Sequence, residues 1–188
     1  MTTATDVVNQ VIAYMGGNQP PVTGSAPNFD NSPAGKAAAV LYAPCVQTVA
    51  RKFGWDFARK TVTLVVTSNT PPYPWAFEYA YPPNGVEVWQ IIPGSLPDRN
   101  NPIPTNWVVA NNIVSGQQAR VIQTNVTGAI AVYNNAPNEN TWDSLFRETV
   151  VRLLASEMAM AIAGKPDSSQ GLFESSSAFA DLAESRDG

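Results

Sequence analysis

Few side chains in this chain are equipped for catalysis. Cys45 is the single thiol, and none of the 188 residues is a histidine. That absence removes the commonest general base, the commonest metal ligand and the Ser-His-Asp arrangement together. One cysteine cannot build a thiolate zinc site or an internal disulfide. Cys45 also falls on an apolar helical stripe, where a thiol reads as buried and inert rather than nucleophilic. Glu78 and Glu87 form the one carboxylate pair worth weighing. Both alternate with apolar residues on either side of Asn84-Gly85, so a hairpin there would make them cross-strand neighbours, and glycoside hydrolysis needs two acids facing one cleft. The same alternation describes the solvated face of a hairpin. No dinucleotide fingerprint, P-loop or calcium loop is present. These residues point to a protein that is not an enzyme and takes no metal or cofactor.

Aromatic residues offer a different chemistry. The chain has five tryptophans and six tyrosines, and Trp75, Tyr79, Tyr81, Trp89 and Trp107 fall in its middle among several prolines. Three readings fit. Flat rings can stack on sugars or single-stranded nucleic acid. Aromatic anchors can dominate a protein interface. Large rings can also simply fill a small sheet's core. No basic residues interleave with these rings, which makes nucleic acid the weakest partner.

Charge narrows the classes further. Eleven basic and fifteen acidic residues give a net charge of −4, against the clustered cations that nucleic-acid binding requires. Charged residues make up only 14% of the chain, where about 25% is usual. A surface this poor in charge is either neutral and polar or partly an interface. The distribution is uneven. Residues 51–60 hold Arg51, Lys52, Arg59 and Lys60 against Asp56, whereas residues 165–188 hold five acids against Lys165 and Arg186. Opposite charge at separate places suits head-to-tail contact between copies; it also describes two solvated helix ends. The N-terminus carries no secretory pattern and no run is apolar enough to span a bilayer, so a soluble protein made in a cytoplasm is expected.

The elements that must position these groups follow from periodicity. Apolar spacing of three to four residues predicts helices over about 4–16, 32–53, 141–163 and 168–185. Thr3 or Thr5 caps the first, and Gly16-Gly17 ends it. Residues 17–31 read as a loop. Ser32-Pro33 starts the second helix, in which Pro44 predicts a kink or a break. The fourth is expected to bury Leu172, Phe173, Phe179 and Leu182 on one side. Between them the period changes to two. Strands are expected at Thr61–Val66, Phe77–Tyr81, Val86–Ile91, Trp107–Asn111, Arg120–Thr124 and Ala129–Tyr133, with a hairpin turn at Asn84-Gly85 and a Pro/Asn-rich loop at 93–104. The fold class is therefore α+β: a small antiparallel helical bundle formed by the N- and C-terminal helices (1–57 and 136–188), with an inserted antiparallel β-sheet (58–135).

Three stretches carry a family likeness. Val7-Val-Asn-Gln-Val-Ile-Ala-Tyr-Met-Gly16 followed by Pro20-Pro-Val22 resembles the start of the tail tubular protein A family, the head-to-tail adaptors (connectors, or gatekeepers) of tailed double-stranded DNA bacteriophages. The Ala-rich helix from Ala37 through Arg51-Lys-Phe-Gly-Trp-Asp-Phe57 resembles that family's second element. Leu153 through Gly164, Pro166 and a last helix with Phe173 and Ala180 resemble its closing helix pair. The likeness covers about half the chain, at its two ends.

The resemblance implies a structural virion protein at the head-to-tail junction. Such a protein forms a twelve-subunit ring (a dodecamer) beneath the portal protein and joins it to a downstream tail or nozzle protein. DNA crosses the lumen during ejection without sequence-specific binding, and no membrane is involved. Candidate subunit or portal contacts are Arg51, Lys52, Arg59, Lys60, Glu174, Phe179, Asp181, Leu182 and Glu184. Candidate tail-component contacts are Trp75, Tyr79, Tyr81, Trp89 and Trp107. The alternative is a carbohydrate- or protein-binding module working through its aromatic sheet.

Overall fold

The computed structural model describes residues 2–16, 19–52, 54–94, 105–135, 138–163 and 166–187, without the side chains of 163, 166–169, 180 and 182–187. Across these residues the chain is mixed α/β, with four α-helices and antiparallel sheets. It divides into two compact units, Met1–Phe57 with Ala136–Gly188, and Ala58–Asn135.

The first unit holds α1 (Ala4–Tyr14), a short hairpin of β1 (Gly24–Ser25) and β2 (Asn28–Phe29), α2 (Pro33–Lys52), α3 (Ser144–Ala163) and α4 (Pro166–Asp187). Thr3 starts α1 with a capping box. Its hydroxyl accepts from the Asp6 amide at 3.2 Å, and its own amide donates to the Asp6 carboxylate at 2.8 Å. Both bonds satisfy donors that the first helical turn leaves open. Thr3→Ala is therefore expected to lower the melting temperature by about 3 °C, measured by circular dichroism. Ser32 caps α2 through the Gly35 amide at 3.0 Å, with Pro33 in the first helical position. No side chain fits here: a Cβ on Gly35 would lie 2.3 Å from the Asp30 carbonyl oxygen.

α3 is the centre of this unit and packs against α1, α2 and α4. Phe146, Thr149, Val150, Val151, Leu154, Ala155, Ser156, Met158 and Ala159 are all buried. Burial on so many sides is what three neighbours demand of one helix. α2 turns Ala34, Ala38, Tyr42, Cys45, Val46, Val49 and Ala50 inward.

The second unit is built from β3 (Arg59–Thr63), β4 (Phe77–Ala80), β5 (Gly85–Ile92), β6 (Trp107–Val114), β7 (Gln117–Thr124) and β8 (Ile130–Asn135). They form two three-stranded antiparallel sheets, ordered β3-β8-β5 and β4-β7-β6. Leu64, Tyr79, Val88, Ile91, Ile122, Ala129, Ala131 and Tyr133, drawn from both sheets and the adjoining turns, make one core. After β3 the chain passes from one sheet to the other. The Leu64 amide still bonds to Ala129, but Val65 and Thr67 already bond to β4.

Several expectations are corrected. The single expected sheet is two sheets, plus the β1–β2 hairpin inside the stretch read as a loop. Asn84-Gly85 is a tight turn, with Asn84 at φ 58° and the Gly85 amide bonded to Pro82, but it makes no hairpin. The strands on its two sides pair elsewhere, β4 with β7 and β5 with β8. The run Thr61–Val66 is divided between a strand and a crossing segment for the same reason. Pro44 does not break α2, which continues from Pro33 to Lys52 around it. Its position on the exposed side lets water satisfy the carbonyl it leaves open. The expected features at Gly17, Phe53, Gly164 and most of the 93–104 loop lie outside the described residues.

Candidate functional site

Three sets of exposed side chains and one buried polar cluster are the candidates for function in this chain. The first surface is the outer side of α2. With its inner residues committed to the core, the helix exposes Lys36, Ala39, Val40, Ala43, Pro44, Gln47, Thr48, Arg51 and Lys52. Val40 is 70% exposed. Arg51 and Lys52 sit in the last turn, where the helix dipole favours cations. Beside the alanines lies an apolar cleft of about 330 Å³, lined by Ala26, Pro27 and Phe29 of the hairpin and Ala39, Tyr42 and Ala43 of α2. Tyr42 is one of its lining residues. The ring meets Phe29 edge-on at 6.2 Å and stacks on Trp142 at 6.5 Å, and the hydroxyl donates to Glu139 at 2.9 Å. Burial and that carboxylate raise the phenol far above its ordinary pKa, so it stays a neutral donor.

The second surface belongs to α4. This helix lies against α3 through small and aromatic groups. The Ser176 hydroxyl donates to the Thr149 carbonyl at 3.4 Å, Arg152 donates to Ser175 at 3.2 Å, and the Arg152 guanidinium covers the Phe179 ring at 4.3 Å. Arg152 also meets Glu148, which accepts from Gln10 and Tyr14 of α1. The serines thus form the inner face, because their short side chains let two helices approach closely. Phe173, expected inside, is 51% exposed. It shares the outer side with Glu174, Ala178 and Asp181.

The β unit carries the third set. Val65, Val66, Tyr73, Trp89, Val108, Val109 and Ile113 are its exposed large apolar residues among those described, spread over both sheets and the segment between β3 and β4. Five of the seven are aliphatic, and none of them is among the contact residues expected from the sequence. The available signal was the pairing of adjacent valines, Val65-Val66 and Val108-Val109, where strict alternation would have put one of each pair inside.

The predicted contact residues scatter accordingly. Arg51, Lys52, Glu174 and Asp181 are exposed on the helical unit, and Arg59 and Lys60 are exposed on β3 of the β unit, so the basic 51–60 segment is split between units. Phe179 is half-buried under Arg152 rather than outward. The side chains of Leu182 and Glu184 lie outside the described residues. Among the aromatic candidates, Tyr79 is fully buried, with its hydroxyl bonded to the Val126 carbonyl at 2.8 Å, which removes it from any surface. Tyr81 and Trp107 pack against the same core, and Arg120 covers the Tyr81 ring at 3.8 Å. Trp75 is half-buried, leaving Trp89 exposed.

Glu78 and Glu87 do not form a facing pair, since their strands belong to different sheets. Glu78 is 1% exposed and sits in a cage of neutral donors. Thr67 and Asn69 donate to one carboxylate oxygen at 2.9 and 2.8 Å, and Asn112 and Gln123 to the other at 2.9 and 3.0 Å. Two amides have their orientation dictated: Asn69 donates to the Ile113 carbonyl as well, and Asn112 accepts from the Ile113 amide. Their NH₂ groups therefore face Glu78, which suits an anion already in place and not a bound cation. Burial raises this carboxyl's pKa, but the bonds from Asn112, Asn69, Gln123 and Thr67 outweigh it and leave the value below the ordinary one. At Cys45, burial and then Glu157 push the thiol up to about 12, so it is protonated at neutral pH and poorly nucleophilic. Among the described residues no group of acids and thiol could hold a metal, and no helix is long and apolar enough to cross a membrane.

No protein-family model matches this chain, and no curated protein matches it.

Proposed function

We propose that this chain is a structural virion protein, a head-to-tail adaptor whose copies form a ring beneath the portal and join it to the tail. The observation that supports the reading is the division of one chain into two compact units. The two ends of the sequence fold into a single helical unit, and the middle folds as a β unit with its own core. In this reading the helical unit acts as a bundle-like frame that meets neighbouring copies and the portal. The β unit, as an inserted element, meets the next tail component through Val108, Val109, Ile113 and Trp89. Each unit presents exposed apolar side chains to serve those contacts. A net charge of −4 suits a lumen that lets DNA slide past rather than hold it.

The carbohydrate reading has less to stand on, because stacking on sugar needs open ring faces and three of its five candidate rings are committed elsewhere: Tyr79 is fully buried, and Tyr81 and Trp107 pack against the same core. The reading is tested by incubating the purified chain with portal rings of candidate phages and counting bound subunits by native mass spectrometry. Stoichiometric rings on a portal are the expected result. A chain that binds no portal and instead shifts its tryptophan fluorescence with a glycan would sink the proposal.

A further inference from the structure

We infer that α4 of a second copy of this chain docks along the outer face of α2, with Phe173 entering the cleft between α2 and the β1–β2 hairpin. This names the subunit contact of the ring, and its closure into a ring rests on the adaptor reading. Three observations carry it.

The first is shape. The cleft is apolar, about 330 Å³ in volume, and walled by Ala26, Pro27, Phe29, Ala39, Tyr42 and Ala43. On the α2 side the wall includes two alanines, which carry nothing beyond Cβ to keep another helix away. An aromatic ring entering there would meet Phe29 and Tyr42 with geometry that rings favour. Phe173 is the exposed aromatic residue of α4 among those described, and its neighbours on the exposed side are Glu174, Ala178 and Asp181.

The second is charge. Every charged residue of α2 is basic: Lys36 near its start, Arg51 and Lys52 at its end. The charged residues exposed on α4 among those described, Glu174 and Asp181, are acidic. One ion pair follows from the geometry. Phe173 and Asp181 are eight residues apart, about 12 Å along the helix, as are Ala43 and Arg51 on α2. With the two helices running in the same sense and Phe173 beside Ala43, Asp181 comes opposite Arg51 and Glu174 opposite Pro44.

The third is that the two surfaces are free to meet only between molecules. α2 turns Ala38, Cys45 and Val49 to its own core, and α4 turns Ser175, Ser176 and Phe179 to α3. The remaining faces are different patches on different helices. Such a contact is heterologous, and repeating it generates a closed ring or an open filament.

Disulfide trapping on the full-length chain is the direct test. The double variant A43C/F173C, mildly oxidised, should give a ladder of linked multimers on a non-reducing gel, where each single variant gives dimers at most. Phe173→Ser should raise the subunit concentration needed for assembly at least about tenfold, as loss of a buried aromatic anchor does. Arg51→Asp and Asp181→Arg should each weaken assembly, and the two together should restore it. Circular dichroism should show all these variants folded, since every altered side chain is exposed. The absence of a ladder, or wild-type assembly by the Phe173→Ser variant, overturns the contact, and a portal-bound ring formed by that variant would leave the adaptor reading standing. A ladder from a chain that binds no portal would overturn the adaptor reading and leave the contact in place.

Discussion

Replacing Phe146 by alanine is expected to destabilise the chain by about 4 kcal/mol, the range seen when a buried ring is truncated. The ring is fully buried at the start of α3. It meets Trp142 at 5.0 Å, Trp55 at 5.1 Å and Phe57 at 5.2 Å, each edge to face. Trp55 cannot follow a retreating neighbour, because its indole donates to the Val49 carbonyl at 2.8 Å and is held there. A cavity left among three rings, one of them anchored, collapses poorly, which places the cost toward the high end. The cluster also joins the segment after α2 to the start of α3, so its loss loosens the seam between the two ends of the sequence. Urea unfolding should show a lower midpoint with an unchanged slope, and the melting temperature should fall by about 10 °C. Phe146→Leu, which refills most of the volume, should cost less than about 1.5 kcal/mol. Equal stability of the alanine variant and the parent would show that this cluster does not hold the helices together.

The second large effect is expected at Glu78. Removing the carboxylate by Glu78→Ala leaves Thr67, Asn69, Asn112 and Gln123 with donors directed at nothing, inside a buried site. Each hydrogen bond to a charged acceptor is worth about 1.5–3 kcal/mol and stranded donors add to the loss, so a total of about 3 kcal/mol is expected after relaxation. Glu78→Gln keeps the shape but turns an NH₂ toward two donors, and should cost about half as much. Acidity probes the same cage. The folded pKa is depressed below the ordinary carboxylate value. Its contribution is therefore fully present above the unfolded pKa of about 4.3 and is lost as pH falls through the folded value. Urea midpoints measured from pH 7 down to pH 3 should fall less steeply below pH 4.5 in Glu78→Gln than in the parent. Parallel curves would mean that the charge on Glu78 contributes nothing to stability.

Elements held by local bonds are legible in the sequence, and those held by distant contacts are not. The start of α1 was readable because Thr3 and Asp6 are three residues apart and interact through bonds that need no other part of the chain. The start of α2 at Ser32-Pro33 was readable for the same reason. The strands were readable as strands, since alternation reports a backbone that places side chains on two faces. Their partners were not. Asn84-Gly85 carries a strong local turn preference and does make a turn, yet the chain leaves it in a different sheet from the one it entered. A turn sets the direction of a few residues, whereas pairing depends on which distant strand covers each edge.

The candidate surfaces show the same divide. Apolar spacing in the last helix puts Phe173 inside. In the structure Ser175 and Ser176 are the inner face and Phe173 is exposed. Hydrophobicity alone cannot decide this, because α3 offers α4 a carbonyl and an arginine where short hydroxyls fit. Tyr79 was weighed as a surface ring and is the centre of a core, since the second sheet closes over it. Composition and spacing by themselves determined that the chain has no histidine and a single thiol, where its first two helices begin, and that its middle is β-structured. Which faces are covered, which strands pair and which apolar groups remain outside was decided only by tertiary packing, because each depends on contacts between residues far apart in the chain, whose local preferences carry no information about one another.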